Sequence, residues 1–247
     1  MLNLNPLICT EINEYDSICN SKRGVRKNIL TNLRARIFID YNTYNTTFNL
    51  ILNRPASTYI NGTEKADLQH CYSSSTAALE NLLVRIEKAQ KVELQHICGY
   101  CLYNKIEETD HYIPKEEYSE FSVLASNLVP VCSVCNKAKH ENWRTITSSH
   151  RTFLHLYKDI IPNIQFLFGS LNYVNNLPQF TWRIDNINNL IPTPLFLTIE
   201  DHFNKLHLPD RYTKACNELL GEIELTVRTQ RRLDPNVHIN KIVDLLK

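Results

Sequence analysis

Four short runs decide how this chain is read: Cys98-Gly99-Tyr100-Cys101, Asp110-His111-Tyr112-Ile113-Pro114-Lys115, Asn127-Leu128-Val129-Pro130 and Cys132-Ser133-Val134-Cys135-Asn136-Lys137-Ala138-Lys139. The first and last contain Cys-x-x-Cys knuckles, whose two-residue gap lets both sulfurs of a knuckle reach one ion in a tetrahedral zinc site. Thirty residues separate the knuckles, more than the roughly 15–20 of a simple zinc ribbon. Further structure is therefore folded into the gap, and the gap holds Asp110-His111. Four unrelated buried thiols, or an iron–sulfur cluster, are the competing readings of the same cysteines.

The joint order C-x-x-C, D-H-x-x-P, N-L, C-x-x-C-N-x-x-K resembles the HNH branch of the ββα-metal (His-Me finger) nucleases. The resemblance covers roughly residues 95–145, about a fifth of the chain. Each piece alone is weak, but the order between two knuckles is specific. It implies an endonuclease hydrolysing phosphodiester bonds, with His111 as the base that activates water. Asp110 and Asn136 would hold a catalytic Mg²⁺ or Mn²⁺, and Cys98, Cys101, Cys132 and Cys135 a structural Zn²⁺. By the same resemblance Asn127 steadies the loop that bears the histidine. Lys139 either contacts phosphate or lies on an exposed helix face, and His140 is a surface or DNA-contacting residue.

Elementary chemistry agrees. Neutral imidazole accepts a proton near pH 7 because its ordinary pKa is about 6.5. Asp110, next to His111 at a strand end, points to the other side of the chain, which suits a metal ligand. Hard divalent cations prefer oxygen donors, and the Asp110 carboxylate and the Asn136 amide carbonyl supply them.

Outward from this core, hydrophobic residues make up 43% and charged residues 21% of the 247, a balance that fits a globular core and excludes the disordered class. No run approaches the roughly 18–20 apolar residues of a membrane helix, and the N-terminus lacks the pattern of a secretory signal. The expectation is a cytoplasmic protein without membrane contact. Net charge is +1, but basic residues cluster at Lys22, Arg23, Arg26, Lys27, Arg34 and Arg36, at Lys137, Lys139, Arg144 and Arg151, and at Arg228, Arg231 and Arg232. Such clusters can neutralise phosphates. Cys9, Cys19, Cys71 and Cys216 are scattered and read as small buried hydrophobes. The remaining histidines and both tryptophans read as ordinary structural residues.

Three regions follow: residues 1–91, mainly helical; 92–150, the ββα-metal motif with its knuckles; and 151–247, a hairpin with helices. Helices are expected over 26–41 and 76–91, the latter capped from residues 73–75, with loop or short strand over the Asn/Thr-rich 41–62. Within the motif a strand is expected at Leu128–Val131 and a helix from Asn136. Beyond it come a hairpin turning at Asn175-Asn176, a helix over 198–229 broken at Pro209, and a short helix over 240–246. The fold class is α+β, the motif being stapled by zinc and embedded in mostly helical flanks. The leading reading is a DNA endonuclease. An RNase of the same chemistry, or a silent zinc-ribbon module that binds nucleic acid or a partner, are the alternatives. The general layout is similar to nuclease subunits of bacterial anti-phage systems of the Septu type, which implies a regulatory ATPase partner.

Overall fold

Leu30, Leu33, Ile37, Tyr41 and Tyr44 recur at helical steps, and in the computed structural model all five are buried along one stripe of helix α2 (Gly24–Thr46). The structure describes residues 3–60, 62–147, 149–175 and 177–238. Helix α1 (Glu11–Asn20) packs on α2, α3 (Gly62–Ser73) packs on α2, and α4 (Ala77–Lys88) packs on α1. The Asn/Thr-rich stretch is neither loop nor strand where it begins. It completes α2 and runs into a 3-10 helix, Phe48–Asn53. Burial is the reason, because Tyr41, Tyr44, Phe48 and Ile51 keep a helical spacing and all lie inside. The cap of α4 is Thr76, whose hydroxyl accepts the Leu79 N–H at 3.3 Å, and not residues 73–75.

Strands β1 (Glu108–His111) and β2 (Leu128–Val131) pair antiparallel, with Asp110 opposite Val129 and His111 opposite Leu128. Helix α5 (Ser133–Lys139) follows directly. It starts three residues earlier than expected because Cys132 is its cap, the sulfur accepting the Cys135 N–H at 3.4 Å. The fold class is α+β.

Among the described residues, those from 3 to 163 with 191–206 form one compact unit, and those in 164–190 with 207–238 a second. The first unit contains the N-terminal helices, the ββα element and α6 (Thr193–Lys205). In the second, β3 (Leu167–Val174) and β4 (Leu177–Ile184) form a hairpin beside α7 (Leu208–Leu233). Asn175 enters the hairpin turn at φ 52°, a conformation asparagine tolerates. Gly169 faces Trp182 across the ladder, and a Cβ there would come within 2.6 Å of the indole ring. The helix expected over 198–229 is two helices, interrupted at Leu206 and His207. Pro209 sits in the first turn of α7, where its missing N–H has no helical partner to lose. The helix expected over 240–246 lies outside the described residues. No described helix is long and apolar enough to cross a membrane.

Candidate active site

The thiols of Cys98, Cys101, Cys132 and Cys135 are buried, and their sulfurs lie within 4.8 Å of one another. Together they could hold one metal ion. Backbone turns aim the first knuckle: the Leu102 N–H bonds the Cys98 carbonyl at 2.8 Å, with Leu102 at φ 57°. Asn104 Nδ2 donates to Cys132 Sγ at 3.5 Å, beside the Cys135 N–H. Donors aimed at sulfur favour the thiolate form that zinc binds. Gly99 has no room for a side chain, since a Cβ would meet Leu156 Cδ1 at 2.6 Å and Leu4 Cδ1 at 2.8 Å.

A cleft of about 400 Å³ is lined by Glu108, Asp110, His111, Lys115, Asn136 and His140, together with Tyr72, Glu116 and Glu141. His111 is buried at its wall, with Nε2 2.9 Å from the Ser122 carbonyl oxygen. A carbonyl only accepts, so Nε2 carries the proton and Nδ1 holds the basic lone pair. Among the described residues no group hydrogen-bonds Nδ1. The Tyr72 ring from α3 stands edge-on to the imidazole at 4.3 Å, held by its hydroxyl donating to the Thr109 carbonyl at 3.2 Å. Burial lowers the His111 pKa to about 3, so the ring is neutral at pH 7 but a weaker base than the ordinary imidazole expected from sequence. An anionic phosphate in the cleft would raise it.

Asp110 and His111 diverge from the strand, as alternation requires. The Asp110 carboxylate takes the Tyr100 hydroxyl at 2.7 Å on Oδ2 and the Lys139 ammonium at 3.0 Å on Oδ1. Lys139 also donates to the His111 carbonyl at 2.8 Å and is fully buried. Both readings of Lys139, phosphate contact and exposed face, are therefore corrected. It lies four residues after the buried Cys135 and so shares the inner face of α5.

Asn136 Nδ2 donates to Glu108 Oε2 at 2.5 Å, which leaves its carbonyl oxygen for another partner. Glu108 was missed by sequence reasoning. Its signal is the two-residue step from Asp110, which puts both side chains on one face of β1. Each Asp110 oxygen keeps a second lone pair, so Glu108, Asp110 and Asn136 present oxygen donors to one cleft. That set fits a hard divalent cation.

Asn127 is wholly buried. Its Oδ1 accepts the Ile113 N–H at 2.8 Å, and its Nδ2 donates to the carbonyls of Ile113 at 3.0 Å and Phe121 at 3.2 Å. It thus ties both ends of the loop after His111. His140 ends α5 exposed, at φ 49°.

The basic cluster between residues 22 and 36 is largely paired within the fold. Arg26 meets Asp67, Arg34 meets Asp16 and Arg36 meets Glu64, while buried Lys22 reaches the His70 and Ser74 carbonyls. In the second cluster Arg144 pairs with Glu117 and Arg151 with Asp159. Trp143 is buried, its indole N–H bonded to Glu117 at 2.9 Å. Cys19 and Cys71 are buried as expected, but Cys9 and Cys216 are only half-buried.

Residues 98–142 match the model of the HNH endonuclease family. The chain carries an HNH-type domain. The matched HNH segment includes both knuckles, Asp110-His111, Asn127 and Asn136. The chain is also similar to protein ea31 of Escherichia phage lambda, at 28% identity over 135 residues. That similarity covers 51% of this chain and 43% of the phage protein, so the chain spans under half the length of that relative. No solved structure matches.

Proposed function

We propose that the chain is a metal-dependent endonuclease that hydrolyses phosphodiester bonds in DNA. The observation that carries this reading is the bare Nδ1 of a neutral, tautomer-fixed His111, opening on a cleft of oxygen donors within an HNH-type domain. Nδ1 takes a proton from water as the water oxygen bonds to phosphorus. The bond from phosphorus to the departing sugar oxygen then breaks, and that oxygen leaves to be protonated by solvent. Asp110, Asn136 and Glu108 are the residues that would hold Mg²⁺ or Mn²⁺. The cation's contribution, when bound, is stabilisation of negative charge on the phosphate and on the leaving oxygen. Lys139 holds Asp110 and the His111 backbone in register, and zinc on the four cysteines staples the base of the motif.

A hydrolase of this kind free in a cell damages its host, so the activity is gated by a partner or signal. A regulatory ATPase in an anti-phage system is proposed from the general layout, with a cytoplasmic setting. The test is cleavage of plasmid DNA, single-stranded DNA and total RNA with Mg²⁺, Mn²⁺ or EDTA. Metal-dependent DNA cutting is expected. Cutting of RNA alone would keep the chemistry and replace the substrate. Silence on every substrate, with candidate partners added, would favour a nucleic-acid or partner-binding module.

A further inference from the structure

Two residues outside the motif, Tyr44 and His155, form a hydrogen-bonded chain that ends on Asn127. Tyr44, from α2, places its hydroxyl 3.1 Å from Asn127 Oδ1 and 2.9 Å from His155 Nε2. All three side chains are fully buried. One assignment of the protons satisfies these contacts together. The backbone N–H of Tyr157 donates to His155 Nδ1 at 3.3 Å, so Nδ1 is an acceptor and the ring proton sits on Nε2. Nε2 then donates to the Tyr44 oxygen, and the single Tyr44 proton goes to Asn127 Oδ1. Asn127 Oδ1 can only accept, and the Ile113 N–H already points at it. The amide is thereby fixed with Nδ2 toward the carbonyls of Ile113 and Phe121. A flipped amide would set its NH₂ against two donors and its oxygen against two carbonyls, at a cost set by unmet buried groups.

We infer that Tyr44 and His155 are positioning residues for the nuclease centre: their ordered hydrogen bonds lock the Asn127 amide. That amide holds the loop whose Ser122 carbonyl orients His111. Phe121, the carbonyl partner of Asn127, immediately precedes Ser122, the carbonyl partner of His111 Nε2. The relay therefore reaches the reacting imidazole through one peptide unit. Neither Tyr44 nor His155 touches substrate. Mere core packing would need their rings, which lie against Phe48 and Phe121, but not their polar atoms.

Tyr44→Phe separates the two roles, since it keeps the ring and deletes only the hydroxyl. The readouts are amide hydrogen exchange at Ile113 and Tyr112, and kcat and KM for DNA cleavage by the full chain. Expected are exchange at Ile113 faster by about tenfold, kcat lower by about tenfold and KM within roughly twofold. His155→Gln, which breaks the relay one step earlier, moves the same quantities in the same direction and decides the matter if Tyr44→Phe does not fold. Wild-type exchange at Ile113 in a folded variant overturns the proposal, as does fast exchange with wild-type kcat. The kinetic arm rests on the nuclease reading. If the unaltered chain cut nothing, that reading would fall and the exchange arm alone would decide the relay.

Discussion

Lys139 shows how a single buried charge organises this site. Its ammonium has the Asp110 carboxylate and the His111 carbonyl as partners and no solvent. Removing one member of such a pair strands the other in a low-dielectric interior. Lys139→Met is expected to lower stability by about 3–5 kcal/mol, measured by urea unfolding. Adding Asp110→Asn to that variant should recover a large part of the loss, because a neutral amide replaces the stranded carboxylate. Equal stability of Lys139→Met and wild type would contradict the pairing. Asp110, His111 and Asn136 were picked out through the resemblance of the joint motif order, in which Asp110-His111 is one dipeptide and Asn136 directly follows Cys135. Lys139 was misplaced because a lysine on a short helix defaults to the surface, although its four-residue step from Cys135 places it inside. Glu108 was overlooked although its two-residue step from Asp110, at an expected strand end, puts both side chains on one face.

The base of the ββα element is closed by the four cysteines and by close backbone approach at Gly99. Gly99→Ala would drive a methyl into Leu4 and Leu156, costing roughly 1–3 kcal/mol as an overpacked contact, read from the same unfolding curves. Cys132→Ser removes one thiol from the cluster and the cap sulfur of α5. Its expected outcome is loss of bound zinc by elemental analysis, with faster amide exchange over Leu128–Val131. Retention of one zinc per chain in Cys132→Ser would contradict the four-cysteine site. Helix α4, with its strong periodicity, was readable from apolar spacing, and the β3–β4 hairpin from the turn residues near Asn175. Helix ends were not. Thr76, Cys132 and the interruption at His207 are set by side-chain caps and local backbone geometry that periodicity does not encode.

Across the molecule, His111, His155 and His202 are buried and neutral. Burial lowers His111 to about 3 and His202 to about 4, and holds His155 well below its ordinary range. The unfolded chain takes these protons near pH 6.5, whereas the folded chain refuses them until far lower. Stability is therefore full above pH 6.5 and falls as pH drops toward 4. If all three contribute, the slope reaches about 4 kcal/mol per pH unit. Urea midpoints at pH 7, 6, 5 and 4 measure this, and a flat profile between 7 and 5 would contradict it. The division into a larger unit and a hairpin–α7 unit was not legible, because residues 191–206 rejoin the first unit after the hairpin has left it. That return depends on the buried His202, bonded to the Leu154 N–H and the Tyr100 carbonyl. Locally these residues read as any amphipathic helix.

On the proposed reading His111, through Nδ1, is the base of the nuclease, and the exposed His140 in the same cleft is not. The most direct measurement is single-turnover cleavage by wild type, His111→Ala and His140→Ala with Mn²⁺, on samples of equal zinc content. A loss of about 10²–10⁴-fold is expected for His111→Ala and at most about tenfold for His140→Ala. Comparable rates for His111→Ala and wild type, or the larger loss at His140, would contradict that reading.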